Sequence, residues 1–95
     1  MKYRVKYQCY WYNTGAADNH YYVATEDFDT LAEAENFAER VVKQKQIYNL
    51  STSDKDWITK TEEWENSENF IEVENGFIDK FIGVVKYYPP VEEKL

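Results

Sequence analysis

Apolar and polar residues alternate along the first twelve positions of the chain, MKYRVKYQCYWY. A period of two, with aromatic and β-branched residues on one face, is typical of a half-buried strand, which we predict over residues 3–12. One set of side chains forms the apolar face: Tyr3, Val5, Tyr7, Cys9 and Trp11. The alternate set is polar: Lys2, Arg4, Lys6 and Gln8. The glycine-containing stretch NTGAADN then predicts a hairpin loop, and HYYVATE predicts the returning strand.

The spacing of apolar residues becomes that of a helix in the stretch TLAEAENFAERVVKQKQ. Thr30 is followed three residues later by Glu33, which is the spacing of a capping box. Acidic residues lie early in this stretch and basic residues lie late, as the helix dipole favours. We therefore predict a helix over residues 30–46. Its apolar stripe consists of Leu31, Ala34, Phe37, Ala38, Val41 and Val42.

The stretch WITKTEEWE at residues 57–65 fits two structures. Trp57, Thr61 and Trp64 would share one face of a helix, whereas two threonines and a Trp-Ile start favour a strand. We predict a strand here, and the choice between helix and strand for residues 54–65 stays open.

Two further strands complete the predicted fold. FIEVE at residues 70–74 precedes an Asn-Gly pair at 75–76, which is a strong hairpin signal, and FIDKFIGVVKYY forms the last strand. The order β-β-α-β-β-β predicts an α+β fold, with four to five antiparallel strands and one helix packed on one face. Ninety-five residues make one domain, which we assign to residues 1–90, with a C-terminal tail at 91–95.

The segment TEEWENSENFIEVENG, residues 61–76, holds six glutamates and no basic residue. On the predicted strands, the set packed under the helix is Ile58, Trp64, Ile71 and Val73. The set facing solvent is Thr59, Thr61, Glu63, Glu65, Phe70, Glu72 and Glu74. Glu63 and Glu72 would lie directly opposite each other, a like-charge pair that destabilises a sheet. Tolerance of this cost favours a function for the charges. We expect a partner to bind Glu62, Glu63, Glu65, Glu72 and Glu74, with Trp64 or Phe70 as the aromatic anchor.

The formal net charge of −7 disfavours direct binding to nucleic acid or to an anionic membrane, because both are negatively charged. A basic nucleic-acid-binding host protein or complex is the predicted partner, because carboxylates on adjacent strands approach the charge spacing of phosphates. Three alternatives stay open. The glutamates could be ordinary solvated surface partly neutralised by the cations of the first strand. The acidic N-terminal half of the helix could form the interface. The chain could also be a self-associating module that uses an exposed strand edge or its tyrosine-rich hairpin.

The residues that could carry chemistry are few. His20 is the only histidine, and the single cysteine, Cys9, excludes an intramolecular disulfide and a multi-thiolate zinc site. A Cys9–His20 pair is conceivable, but Cys9 belongs to the apolar face, where a thiol is usually a small hydrophobe. Glu26, Asp27 and Asp29 do not match a calcium loop. We predict no enzyme activity, no cofactor and no metal. With neither a signal peptide nor a membrane span, the expected location is the cytoplasm.

The chain resembles small phage-encoded accessory proteins, including anti-CRISPR inhibitors, in its general character. The matching features are the N-terminal strand MKYRVKYQCYWY, a second strand and the short amphipathic helix FDTLAEAENFAERVV. The resemblance covers the first half of the chain and carries no functional residue across. It implies a stoichiometric inhibitor of a host defence complex such as a CRISPR effector, acting in the host cytoplasm.

Overall fold

The computed structural model describes residues 1–11, 20–49, 55–73, 76–88 and 91–94. These residues form four strands and two helices in the order β-β-α-α-β-β. The elements are β1 (Lys2–Trp11), β2 (Tyr21–Phe28), α1 (Leu31–Tyr48), α2 (Trp57–Glu65), β3 (Gly76–Tyr88) and β4 (Val91–Lys94). The predicted hairpin loop after β1 lies outside the described residues.

The strands form one antiparallel sheet in the order β2-β1-β3-β4. Three of its strands are long, and β4 adds a short fourth at the edge beyond β3. The predicted α+β class with an antiparallel sheet is therefore confirmed. Residues 91–94 pair with β3, although the sequence placed them in a tail.

The core lies between one face of the sheet and α1. Val5, Tyr7 and Cys9 of β1 are buried, and so are Phe37 and Val41 of α1. The period of two in β1 thus separates a buried face from a polar one, as predicted. Because β1 is an inner strand, between β2 and β3, its apolar side chains meet the helix away from the edges of the sheet.

The predicted first helix is confirmed and extends two residues further than expected, to Tyr48. Thr30 is its N-cap, and the Thr30 hydroxyl accepts a hydrogen bond from the backbone N–H of Glu33 at 3.2 Å. The same hydroxyl donates to the Glu33 carboxylate at 2.8 Å. The cap and the apolar stripe are both local signals, so this helix could be read from the sequence alone.

The predicted strand over residues 57–65 is wrong, because these residues form α2, and with it the prediction of a single helix. Trp57, Thr61 and Trp64 are half-buried, while the residues between them are exposed. Spacings of four and three place these three side chains on one helical face. The Thr61 hydroxyl also donates to the Trp57 carbonyl at 2.8 Å, a bond that only a helix provides. Burial against α1 therefore outweighs the strand preference of threonine.

Residues 70–73 do not form the predicted strand, and Asn75 of the predicted Asn-Gly turn lies outside the described residues. Residues 70–73 have no strand assignment, although Ile71 is buried and Val73 packs against the core as predicted. Gly76 instead opens β3 and pairs directly with Trp11 of β1. A β-carbon at Gly76 would lie 1.8 Å from the Tyr10 carbonyl oxygen, so only glycine allows β3 to approach β1 here.

Candidate interaction surface

Helix α2 packs beside α1. Among the described elements, it contacts α1 and no strand. Its inward face carries Trp64, whose indole Nε1 donates to the Oε1 of Gln44 at 2.8 Å. Ile58, which the sequence placed under the helix, is instead exposed on the outward face. Trp64 thus holds α2 beside α1, and the acidic side chains of α2 remain exposed outside the core.

Gln44 holds α2 and the segment after it to α1, and it was not singled out by the sequence analysis. It is 2% exposed, and its amide binds both polar backbone groups of Ile71. Gln44 Oε1 accepts from the Ile71 N–H at 2.8 Å, and Gln44 Nε2 donates to the Ile71 carbonyl at 2.8 Å. The signal was present in the sequence, since Gln44 continues the spacing of Phe37 and Val41 on the buried face of α1. A polar residue at such a position requires buried partners.

Arg40 adds a second attachment one helical turn earlier. Its guanidinium donates to the backbone carbonyl of Asn69 at 3.0 Å and to that of Glu68 at 3.5 Å. Together with Gln44, it ties the segment after α2 to α1. The charge of Arg40 is thereby directed at backbone carbonyls within the acidic segment.

The predicted binding glutamates do not form a row. Glu62, Glu63, Glu65 and Glu72 are all exposed, and Glu74 lies outside the described residues. The expected opposition of Glu63 and Glu72 across two strands is wrong, because Glu63 belongs to a helix. Glu62 and Glu65 are three residues apart and share one flank of α2, with their β-carbons about 5–6 Å apart.

Glu63 occupies the other flank of α2. It lines a groove between the helices of about 350 Å³, together with Lys43 of α1 and Lys60 of α2. These two lysines bring positive charge to the same groove, so Glu63 contributes less negative field than Glu62 or Glu65. We therefore exclude Glu63 from the acidic flank of α2, which consists of Glu62 and Glu65.

Glu65 and Phe70 are brought together by the structure. Both line a cavity of about 210 Å³ between the end of α1 and the start of β3. The Tyr48 hydroxyl donates to the Glu65 carboxylate at 2.6 Å. Burial, and the hydrogen bond to Glu65, raise the pKa of Tyr48 above its usual range. Phe70, expected to be exposed, is half-buried beside this pair.

Neither predicted anchor is a freely exposed ring. Trp64 is half-buried and uses its indole N–H on Gln44, while Phe70 lies in the cavity beside Glu65. No aromatic side chain is exposed on α2, all of whose residues the structure describes. Its exposed large apolar residue is Ile58.

The cations of β1 lie on the other side of the molecule. Lys2 forms an ion pair with Asp29, and Arg4 donates from Nε to the Asp27 carboxylate at 2.7 Å. Since the buried face of β1 points toward α1, these polar side chains occupy the opposite face of the sheet. The Arg4 hydrogen bond holds the pKa of Asp27 below its usual value. The Arg4 guanidinium also lies 3.8 Å from the centre of the Tyr87 ring.

The remaining candidate residues from the sequence are Cys9 and His20. Cys9 is 1% exposed, and burial raises the pKa of its thiol. It lies opposite Tyr22, while His20 lies opposite Trp11 at the end of the hairpin. In the described residues, no three histidine, cysteine, aspartate or glutamate side chains converge in a way that would hold a metal ion.

No protein-family model, no curated protein and no solved structure matches this chain. Neither of the two described helices has both the length and the apolar character needed to cross a membrane. The functional argument therefore rests on the arrangement of charge and on the exposed surfaces.

Proposed function

We propose that the chain is a non-enzymatic, protein-binding inhibitor of the kind that phages encode. The acidic surface of α2 and of the segment after it would occupy the nucleic-acid-binding site of a basic host protein or defence complex, such as a CRISPR effector. The binding surface consists of Glu62 and Glu65 on one flank of α2 and Glu72 beyond it. Ile58 supplies an exposed apolar contact on that flank, in place of the aromatic anchor expected from the sequence.

The separation of charge between the two sides of the molecule supports this proposal most strongly. The sequence left open that the cations of β1 neutralise the glutamates. Lys2 and Arg4 are instead paired with Asp29 and Asp27 on the outer face of the sheet. The sheet itself separates that face from the helix side, where α2 packs beside α1. At physiological ionic strength the Debye length is about 8 Å. Salt therefore largely screens the interaction between charges on opposite faces of a domain, and the cations neutralise the glutamates little.

The partner chemistry follows from this field. A basic groove that binds phosphates attracts closely spaced carboxylates, and such attraction mainly accelerates association. Helical geometry places Glu62 and Glu65 within about 5–6 Å of each other at the β-carbon. One nucleic-acid strand carries a charge per about 3.4 Å of helix axis, so this pair of carboxylates approaches that charge density without matching it.

The test uses two variants with the same loss of charge. Glu62, Glu65 and Glu72 become glutamine in the first variant. Glu35, Glu39 and Glu93, which are exposed elsewhere, become glutamine in the second. Each variant and the parent chain are used to capture proteins from a bacterial lysate, with washes of rising salt. The association rate of each captured protein, and its binding to nucleic acid in the presence of inhibitor, are then measured.

We expect the parent chain to retain a basic nucleic-acid-binding protein that elutes as salt rises. The first variant should associate roughly tenfold more slowly or worse and should no longer compete with nucleic acid, whereas the second should behave like the parent. Equal loss in both variants would show that only net charge matters. Loss in the second alone would move the interface to α1. Unchanged binding and competition by the first variant would refute the proposal.

A further inference from the structure

Helices α1 and α2 both end at one cavity. Tyr48 is the last residue of α1, Glu65 is the last residue of α2, and both line a cavity of about 210 Å³. The C-terminal end of a helix carries about half an elementary negative charge, and the Glu65 carboxylate adds a full one. The described residues that line the cavity include no basic one. The electric field of the cavity therefore favours a cation.

Three aromatic rings line the same cavity, those of Tyr48, Phe70 and Phe77. Tyr48 is 39% exposed and Phe77 is 42% exposed, so two of these side chains are accessible from solvent. Phe77 also stacks on Tyr10, with 5.1 Å between the ring centres, which fixes the orientation of its ring. The face of an aromatic ring attracts a cation within about 6 Å, and proteins bind ammonium groups between such rings. The rings and the carboxylate together favour an organic ammonium ion.

The hydrogen bond between Tyr48 and Glu65 favours one kind of cation over another. The Tyr48 hydroxyl donates to the Oε1 of Glu65 at 2.6 Å. A carboxylate has about four acceptor positions, of which this bond uses one, and the phenolic oxygen can also accept. An arginine prefers to bind both carboxylate oxygens at once in a planar fork, which the Tyr48 bond obstructs. A lysine ammonium is a compact charge with three rotatable donors and needs no such fork.

The nearby lysines of the chain itself are directed elsewhere. Lys45, in the last turn of α1, donates from Nζ to the backbone carbonyl of Asp79. Lys43 and Lys60 line the groove on the other flank of α2. None of these three side chains lines the cavity at the helix ends. The cation that the cavity favours therefore comes from another molecule.

We propose that this cavity binds the ammonium group of a lysine side chain presented by the basic partner. A site that binds nucleic acid carries lysines that contact phosphates, so such a partner offers this group at its surface. Insertion of one lysine adds a short-range contact of defined geometry to the long-range attraction of the acidic flank. The source of the lysine rests on the proposed function, whereas the preference of the cavity for a lysine ammonium does not.

The test uses a short peptide with one lysine among glycines and with both ends blocked, so that the ammonium is its only charge. A norleucine peptide removes the charge, and an arginine peptide replaces it with a guanidinium. Each peptide is titrated into the ¹⁵N-labelled chain and followed by NMR. Two signals report on the cavity. They are the backbone amide shifts of Ile71 and Phe77, and the upfield ring-current shift of the lysine ε-methylene protons.

Three variants of the chain locate the binding. Glu65→Gln removes the charge but keeps an oxygen that can accept from Tyr48. Glu35→Gln, the matched control, removes the same charge from an exposed position near the other end of α1. Phe70→Leu removes one ring and keeps an apolar side chain. The amide spectrum of each variant shows whether it is folded, and if Phe70→Leu is not, the two glutamine variants decide the outcome.

We expect saturable binding of the lysine peptide with an upfield ε-methylene shift, and none with norleucine. Glu65→Gln and Phe70→Leu should raise the dissociation constant roughly tenfold and threefold, whereas Glu35→Gln should raise it less than about twofold. Equal losses in the two glutamine variants, tighter binding of the arginine peptide, or no saturable binding would each overturn the inference.

The lysate experiment separates this inference from the proposed function. Capture of a basic protein together with failure of the lysine peptide would overturn the cavity site and leave the proposed function standing. Binding of the peptide at the cavity without any captured basic protein would contradict the proposed function, and it would overturn the partner as the source of the lysine.

Discussion

At the scale of single residues, Gln44 forms hydrogen bonds to the backbone that a neighbouring strand would otherwise form. It pairs with the N–H and the carbonyl of Ile71 and also accepts from Trp64. The segment after α2 is therefore held to a helix through one side-chain amide. Because a buried group left without its partner costs about 1–3 kcal/mol, the position is sensitive to apolar replacement.

We expect Gln44→Leu to lower the free energy of unfolding by about 1–3 kcal/mol or more, since three polar groups lose their partner. Urea unfolding measures the change. Gln46→Leu is the matched control, because Gln46 is exposed on the same helix. Its effect should stay within about 0.5 kcal/mol. Equal effects of the two substitutions would show that the Gln44 amide contributes nothing specific.

Tyr7 gives a prediction for alkaline pH. Burial raises its pKa from 10.0 to about 12. Between these values the unfolded chain loses the phenolic proton while the folded chain keeps it. Stability contributed by Tyr7 is therefore complete below about pH 10 and falls as pH rises toward 12. We expect Tyr7→Phe to show a shallower decline in the free energy of unfolding across this interval, measured by urea titration at fixed pH. A decline as steep as that of the parent would contradict the prediction.

At the scale of secondary structure, the close approach of β3 to β1 depends on one glycine. A β-carbon at Gly76 would collide with the backbone of Tyr10, whereas one at Gly83 would meet nothing within 4 Å. Gly76→Ala should destabilise the fold by about 1–3 kcal/mol, as overpacking does. Gly83→Ala should be neutral or stabilise it by up to about 1 kcal/mol, because glycine weakens a strand. Thermal unfolding of the two variants compares them directly, and equal melting temperatures would count against the argument.

The elements that the sequence predicted correctly are those with signals of their own. The alternation in β1 and the Thr30 cap of α1 are local patterns, and both elements form as expected. Helix α2 has no side-chain cap hydrogen bond at Asp56. It is stabilised by packing on α1 and by the bond between Trp64 and Gln44, two residues twenty positions apart. Tertiary contacts of this kind override strand propensity, and the only local sign of the helix was the spacing of Trp57, Thr61 and Trp64.

The candidate surface was predicted in composition but not in geometry. Its glutamates are exposed where the structure describes them, yet helix α2 divides them between two flanks. Trp64 faces inward, as its place in the predicted packed set required, and its indole N–H binds Gln44. Phe70 is half-buried because residues 66–73 fold back on α1 through Arg40 and Gln44. The strand interpretation had pointed Phe70 toward solvent.

At the scale of the whole molecule, the net charge of −7 opposes compaction. Screening by salt relieves this repulsion, so the melting temperature should rise as neutral salt is added to a low-salt buffer. The variant with glutamine at 62, 65 and 72 should start with a higher melting temperature and gain less from salt. Differential scanning calorimetry over a salt series measures both effects. A melting temperature that falls with salt would mean that ion pairs such as Arg4–Asp27 outweigh the repulsion.

The single thiol, buried at the centre of the fold, is an internal probe of local opening of the core. Cys9 is the only cysteine, and it lies in the middle of β1 beneath α1 with 1% of its surface exposed. A thiol-modifying reagent can reach it only when the helix separates from the sheet. The modification rate under native conditions therefore reports how often that separation occurs, without any added probe. A partner bound to α2 that also holds α1 in place should slow the modification, so one unaltered residue can register binding at a distant surface.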